Sequence, residues 1–257
     1  MHGLSPRLAC VADFVSSGGC ICDVGCDHAY LPIHLLLSGR VRSAIAMDVR
    51  PGPLAIAAEH IAGVGLQDRI VTRLSDGLAA LEPGEADCIV LAGMGGVLMR
   101  QILADDYRKA CSAREWILQP QSDVTGVRSF LRESDFAIEA EELVWDRGKL
   151  YVVIRAVMRR EQDGLKALVE NRTPGLEKAE ETGLQEKGFD ALCDRFGPVL
   201  LSRRHPLLFT YLQKEENRLS QLCVRLQGET AHETVERRRE LAEELEMTRK
   251  ALALWRS

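Results

Sequence analysis

The sequence predicts an α/β fold built on a mainly parallel sheet and followed by a helical appendage. Three observations carry this. From Cys20 to Glu133, short apolar runs rich in β-branched residues alternate with longer segments of helical periodicity, the pattern of repeated βαβ units. Two strand-like segments, Ala137 to Trp145 and Leu150 to Ala156, flank Asp146-Arg147-Gly148-Lys149 and read as a hairpin, which turns one strand antiparallel. Beyond Met158-Arg159-Arg160-Glu161 the β-branched runs vanish and charged helix formers dominate. Residues 1–160 are therefore expected as one domain and 161–257 as a second, helical one.

Each element has a local reason. Ser5-Pro6 places an N-cap before a proline at the first helical position, and Leu8, Val11, Ala12 and Val15 make one apolar stripe, so a helix precedes the sheet. Cys20 to Val24 reads as a buried strand, Leu31 to Ser38 as a helix ended by Gly39, and Ala44 to Met47 as a strand closed by Asp48. A helix from Pro53 to Ile61, strands Ile70 to Leu74 and Cys88 to Ala92, a helix Val97 to Ala104, a strand Trp116 to Leu118 and a helix Val124 to Glu133 continue the alternation. In the tail, breaks are expected at Thr173-Pro174-Gly175 and Phe196-Gly197-Pro198. Leu207, Leu208, Tyr211, Leu212, Leu219, Leu222 and Leu226 then follow helical spacing; Gly228 interrupts and Leu241, Leu245 and Leu252 resume, which predicts two antiparallel helices.

Composition narrows the function classes. The 257 residues carry a formal charge of -5, so no global positive field advertises a nucleic acid, and any such partner must be held by local basic patches. Eight cysteines lie mostly inside apolar runs without paired Cys-x-x-Cys knuckles, which reads as buried small hydrophobes in a reducing compartment and argues against a zinc site. The N-terminal residues show no charged-then-apolar signal pattern and no apolar run approaches a membrane span, so the expectation is a cytoplasmic protein without membrane or metal.

The most informative stretch is Cys22-Asp23-Val24-Gly25-Cys26-Asp27-His28-Ala29-Tyr30, a strand-to-helix turn with two carboxylates. It is close to a dinucleotide-binding loop, but Asp27 stands where such a loop needs its second glycine for the pyrophosphate. An anionic side chain there repels phosphate and suits a ligand that is cationic at that end, as S-adenosylmethionine is with its ammonium and sulfonium beside adenosine. Asp48 lies 23 residues after Gly25, the distance at which a carboxylate takes ribose hydroxyls, a role equally compatible with NAD; the alternative is a helix cap before Pro51 and Pro53. Ser75-Asp76-Gly77 ends the third strand, and Asp76 either accepts an adenine amine or closes a simple turn. Asp23 at the end of the first strand is an expensive buried charge unless it meets a ligand ammonium or backbone donors.

Ala92-Gly93-Met94-Gly95-Gly96 puts bare backbone at a strand end, where ligands sit in open α/β sheets, and Gln119-Pro120-Gln121 ends the next strand on the same edge, placing two amides where a base edge can be read. His28 is read first as making a structural hydrogen bond, with contact to the donor or the substrate as the alternatives. Tyr30, Phe14 and Trp145 are candidate stacking residues, although in a chain with few aromatics a core role is the reading preferred for each. Arg7, Arg147, Lys149, Arg203, Arg204 and Lys214 are candidate backbone contacts for RNA, whereas Arg237-Arg238-Arg239 reads as a solvated helix face balanced by glutamates.

Leu4-Ser5-Pro6-Arg7-Leu8, Asp23 to Pro32, Ala92 to Gly96, Leu118 to Gln121 and Lys149-Leu150-Tyr151 together resemble the bacterial TrmK family of tRNA (adenine-N1)-methyltransferases, closely over residues 1–157 and more loosely in Phe196-Gly197-Pro198 and the terminal helices. Cys26 and Gln121 depart from the family pattern, which has a small hydroxyl residue and an asparagine there. The resemblance implies a class I, Rossmann-like methyltransferase sheet with a C-terminal coiled-coil-like appendage, S-adenosyl-L-methionine as donor, and tRNA adenine 22 as acceptor. It implies the donor's amino-acid end near Asp23, Gly25 and Asp27, its ribose near Asp48, its adenine near Asp76 and Gly77, with Ala92 and Gly93 also lining the donor. Asp27, His28, Gly93 and Met94 are the expected catalytic group. Arg7, Tyr30, Gly95, Gln119, Pro120, Gln121, Arg203 and Arg204 are the expected substrate contacts. Two other classes fit the same residues: a small-molecule or protein methyltransferase, and a nonenzymatic S-adenosylmethionine or nucleotide sensor whose C-terminal helices bind a protein partner or a second copy.

Overall fold

Strands buried on both faces by crossover helices must be apolar almost throughout, and the centre of the sheet obeys this. The computed structural model describes residues 3–159, 186–226 and 232–255. Helix α1 (Pro6–Phe14) leads into β1 (Cys20–Val24), α2 (Tyr30–Leu37), β2 (Ser43–Asp48), α3 (Pro51–Gly63) and β3 (Ile70–Leu74). There follow β4 (Cys88–Met94), α4 (Gly96–Asp105), α5 (Tyr107–Ala110), β5 (Glu115–Pro120), α6 (Val124–Glu133), β6 (Phe136–Asp146) and β7 (Lys149–Met158). The seven strands lie in the order β3-β2-β1-β4-β5-β7-β6; β7 runs antiparallel to both of its neighbours and the other pairings are parallel. The hairpin and its single reversed strand are as the sequence predicts.

One face of the sheet packs Ile21, Ala44, Ala46, Val90, Ile117 and Val153 against Val11 and Val15 near α1, Leu35 of α2 and Ala57 and Ile61 of α3. Residues of the other parity point to the opposite face, where Met99 and Leu103 of α4 and Val127 and Leu131 of α6 are buried. Trp116 stacks on Phe136 with ring centroids 3.6 Å apart and donates its indole N–H to the Ala110 carbonyl at 2.9 Å. That bond gives the four-residue α5, which has no sequence signal of its own, a fixed end.

Two ion pairs, one of them buried on both sides, fasten the hairpin. Arg128 of α6 meets Glu141 of β6 at 2.7 Å with both side chains almost wholly out of water. Glu115, also buried, accepts from Ser16 N and Ser16 Oγ at 2.8 Å each and from Arg155 Nε at 2.7 Å, which holds the end of the α1 segment over β5 and β7.

The described residues separate into two compact units, one on each side of the undescribed segment. The second unit contains α7 (Glu186–Phe196), α8 (Pro198–Ser202), α9 (Pro206–Arg225) and α10 (His232–Ala253). Gly197 takes φ +93 between α7 and α8, a backbone that L side chains rarely adopt, and Pro198 then opens the next helix. Helices α9 and α10 pair antiparallel: Leu219 packs on Leu241 and Leu245, Phe209 stacks on Trp255 at 5.7 Å, and Arg249 reaches Glu216 at 2.9 Å. Leu208, Leu212 and Leu219 are buried as the stripe predicts, but Tyr211 is exposed. Arg237 and Arg239 pair with Glu240 and Glu243 on their own helix, the solvated face expected of them. The expected breaks at Thr173-Pro174-Gly175 and at Gly228 lie outside the described residues, as do Arg160 and Glu161 at the expected domain boundary.

Removing one partner of a fully buried pair deprives the other charge of that partner in a medium of low polarity. Arg128→Ala should therefore lower the unfolding free energy by about 3–5 kcal/mol, read as an earlier midpoint in urea titration.

Candidate methyl-donor and acceptor site

A cavity of about 470 Å³ opens at the carboxyl ends of β1, β2, β3 and β4. The crossovers from β1 and β4 leave in opposite directions there, the place where open α/β sheets bind ligands. Asp23, Gly25 and Asp27 line it from β1, Asp48 from β2, Asp76 and Gly77 from β3, and Ala92, Gly93 and Met94 from β4.

The turn after β1 is not built for phosphate. Gly25 N and Cys26 N both donate to the Met47 carbonyl of β2, at 2.8 and 2.9 Å, so neither faces the cavity as an anion donor. Gly25 takes φ +74, and a Cβ there would stand 3.2 Å from Met94 Cε, so the glycine keeps the cradle open. Asp27 and Ala29 adopt the left-handed conformation without being glycine, at φ +51 and +58, a local strain of about 1 kcal/mol each.

Asp48 is buried; its Oδ1 accepts from Arg50 N at 2.9 Å and lies 3.6 Å from Arg50 Nε, leaving lone pairs for paired hydroxyls. Asp23 is also buried, and burial first, then the neighbouring Asp48 carboxylate, pushes its carboxyl up to about 7. Ser75 Oγ donates to the Gly77 carbonyl at 2.9 Å and accepts from Ala80 N at 3.0 Å, which fixes the turn that carries the exposed Asp76.

On the acceptor side, motifs far apart in sequence meet. The β4–β5 ladder shifts register between Ala92 and Met94, leaving Gly93 bulged at φ +81. Its N–H donates instead to Gln119 Oε1 at 3.1 Å, and Arg7 Nη1 donates to the same oxygen. The Arg7 guanidinium also lies 3.8 Å from Asp146 Oδ2 and 5.5 Å over the Tyr151 ring. A Cβ on Gly93 would stand 3.2 Å from Arg7 Nη1.

This network places several of the expected substrate residues. Gln119 is fully buried, and its Nε2 donates to the Pro120 carbonyl at 3.1 Å, so both ends of its amide are engaged inside the protein rather than reading a base edge. Pro120 is likewise buried in β5, whereas Gln121 is exposed and lines the cavity. Arg7 lines the cavity, and its guanidinium is engaged with Gln119, Asp146 and Tyr151. Gly95 is the N-cap of α4 facing Ser122 Oγ, and a Cβ on Gly96 would meet the Ser122 carbonyl at 2.6 Å; these glycines let α4 approach the next loop and do not line the cavity.

His28 also stays off the cavity lining; Nε2 lies 3.6 Å from Asp27 Oδ1, and Nδ1 is buried without a hydrogen-bond partner. Tyr30 lines the cavity and is half exposed. Arg203 and Arg204 lie in the second unit, exposed in the turn after α8. Sequence reasoning missed Leu98 and Ile102, which supply an apolar wall. Their signal was present: α4 has a second apolar pair spaced four apart beside the buried Met99 and Leu103. Among the described residues no three His, Cys, Asp or Glu side chains come together as a metal site, and no helix is long and apolar enough to cross a membrane.

A seven-stranded mixed sheet with an acidic pocket at its switch point defines a Rossmann-like methyltransferase, and a family model described as a methyltransferase domain matches residues 4–154. Within that class the chain belongs to the TrmK family. It is 37% identical over 153 residues to a Bacillus subtilis tRNA (adenine(22)-N(1))-methyltransferase, a match covering 60% of this chain and 64% of that protein, so the chain spans just under two thirds of that relative's length. It is similar over 98% of its length to the whole of the crystallised Bacillus subtilis m1A22 tRNA methyltransferase TrmK, with 26% identity and a TM-score of 0.79. A Streptococcus pneumoniae protein put forward as a tRNA (m1A22) methyltransferase and solved with S-adenosyl-L-methionine is 31% identical, with a TM-score of 0.76 over 97% of this chain and 100% of that one.

The raised carboxyl of Asp23 has a definite pH signature. A folded-state value of about 7, above the ordinary value of 3.8, means that the carboxyl's contribution is fully present below pH 3.8 and is lost as pH rises through 7. Asp23→Asn, which never ionises, should therefore melt higher than the parent at pH 8, with a smaller difference at pH 5; thermal scans at the two pH values check this.

Proposed function

We propose that this protein transfers a methyl group from S-adenosyl-L-methionine to N1 of adenine 22 in the D-arm of tRNA. The observation that carries the reading is the convergence of four carboxylates, Asp23, Asp27, Asp48 and Asp76, on one cavity that also exposes the Gly93 backbone. Such a rim opposes a dinucleotide pyrophosphate and suits a cationic adenosyl ligand. The names of the similar proteins support tRNA as the acceptor.

In this reading Asp48 receives the ribose hydroxyls, and Asp76 with the Gly77 backbone borders the adenine against Leu98 and Ile102. Asp23 and Asp27 receive the ammonium end. S-adenosylmethionine, when bound, supplies an electrophilic methyl group on a sulfonium. Adenine N1 presents an in-plane lone pair at neutral pH, so no side chain has to remove a proton first, and the absence of His28 from the cavity lining costs the reaction nothing. Positive charge passes to the base in the transition state, which favours the Asp27 carboxylate and the Gly93 and Met94 backbone beside the acceptor. The main contribution of the chain is then alignment, with Arg7 and Gln119 fixing the Gly93 bulge. The target base must leave its stack to reach this cavity.

The tRNA is held by exposed basic residues, Arg147 and Lys149 on the hairpin turn and Arg203 and Arg204 on the helical unit, because the net charge of -5 leaves only local patches. A tRNA substrate puts the activity in the bacterial cytoplasm. The donor site belongs wholly to residues before Met158, and the helical domain, from about residue 161, serves RNA binding.

Two measurements test the reading. Asp48→Ala should weaken S-adenosylmethionine binding by about 1.5–3 kcal/mol in calorimetry, the value of hydrogen bonds to a charged acceptor, and mass spectrometry of tRNA incubated with the parent protein should find N1-methyladenine. Truncation after residue 160 should spare donor binding and sharply weaken tRNA binding in gel shifts, with the full-length affinity falling steeply as salt is raised; equal tRNA affinity in the truncated protein would reassign the helices to dimerisation or a protein partner.

A further inference from the structure

Three rings, from α2, α3 and the turn after β1, gather where one of them, Tyr30, lines the cavity. Tyr30 opens α2, His60 lies near the end of α3, and His28 stands in the turn after β1. The Tyr30 and His60 rings are 5.2 Å apart and tilted by 34°, and His28 meets both edge-on, at 5.8 and 5.9 Å. His60 Nδ1 donates to the His28 carbonyl at 3.1 Å, which fixes the ring's tautomer and orientation. Tyr30 is thus held by its neighbours while 49% of it remains open to solvent, in a chain with only four tyrosines.

The other candidate aromatics are placed differently. Phe14 packs against the core, and Trp145, though exposed, sits on the hairpin away from the cavity lining. Tyr30 alone of the three lines the cavity, together with Asp27 and Leu98, the latter also half exposed.

We infer that Tyr30, backed by His60 and His28, is a stacking platform that receives the extruded purine of the RNA substrate and holds its face at the cavity mouth. This rests on the reading of the protein as a tRNA adenine methyltransferase. A platform whose rings are already ordered loses little side-chain freedom when a base lies on it. The negative face of the tyrosine ring also attracts a purine that becomes cationic on methylation, a second gain that the uncharged substrate lacks. Base-on-aromatic stacking tolerates any base, so the platform supplies affinity while Gln121 and the Gly93 backbone are left to discriminate.

The test is steady-state methylation of an unmodified tRNA transcript with tritiated S-adenosylmethionine, paired with calorimetry of the donor alone. Tyr30→Ala should raise the KM for tRNA about 5- to 100-fold while leaving the donor Kd within about twofold of the parent. Tyr30→Phe, which keeps the ring, should bring the KM back, and His60→Ala should raise it by a smaller factor than Tyr30→Ala. An unchanged tRNA KM in Tyr30→Ala, or a donor Kd that rises by the same factor as the KM, would overturn the platform while leaving the methyltransferase reading intact. A parent protein that binds the donor but labels no tRNA would remove that reading and the platform with it.

Discussion

The hydrogen bond from Gly93 N to Gln119 Oε1 is the point on which the acceptor half of the site turns. A bulge removes one rung from the β4–β5 ladder, and an unpaired N–H at a buried strand end is costly unless something replaces the lost carbonyl. The Gln119 side chain does so, and Arg7 donates to the same amide oxygen. Asp146 and Tyr151 in turn neutralise and cover the guanidinium. Four residues, from α1, β5, β6 and β7, are thereby committed to shaping a single glycine of β4. The motifs that look separate along the chain, around Arg7, Gly93, Gln119 and Tyr151, are parts of one device.

The donor half is organised by repulsion held in check. Asp23 and Asp48 sit on adjacent strands, both buried, and raise the cost of ionising Asp23. The protein carries this cost in the sheet's centre because the surrounding apolar strands and the Arg50 contacts at Asp48 hold the geometry. The turn after β1 is fastened from the side by the Met47 carbonyl instead of by a ligand. A site assembled in this way is shaped before its ligand arrives, with its charge left to be answered by the ligand.

Much of the fold was legible because buried parallel strands and amphipathic helices leave strong periodic signals. β1, β3 and α6 match their predicted limits, and the hairpin followed from Arg147-Gly148, whose positive φ values, +49 and +78, the turn requires. Helix α3 begins at Pro51 rather than Pro53 because a proline is tolerated at the first helical position, where no donor is needed. The four-residue α5 has no room for a period and was missed. Carboxylates at strand ends were legible as cavity residues because a charge there has few structural uses. Gln119 was not, since an amide is as useful inside the protein as outside and only the bulge opposite shows which way it turns. Leu98 and Ile102 were hidden by the assumption that apolar residues on α4 serve the core.

The clasp of Glu115 on Ser16 and Arg155 carries a temporal consequence. Helix α1 leaves the ribosome ahead of the sheet, yet its Arg7 finds Gln119 only 112 residues later, and Asp146 and Tyr151 later still. Contacts of such long sequence separation form late, because the intervening chain must be ordered before they repay its lost freedom. The carboxylate-lined half, complete by β4, can take shape on a nascent chain well before the Gly93 bulge is fixed. Order of synthesis and order of assembly are therefore reversed at this pocket: its earliest residue is the last to be seated.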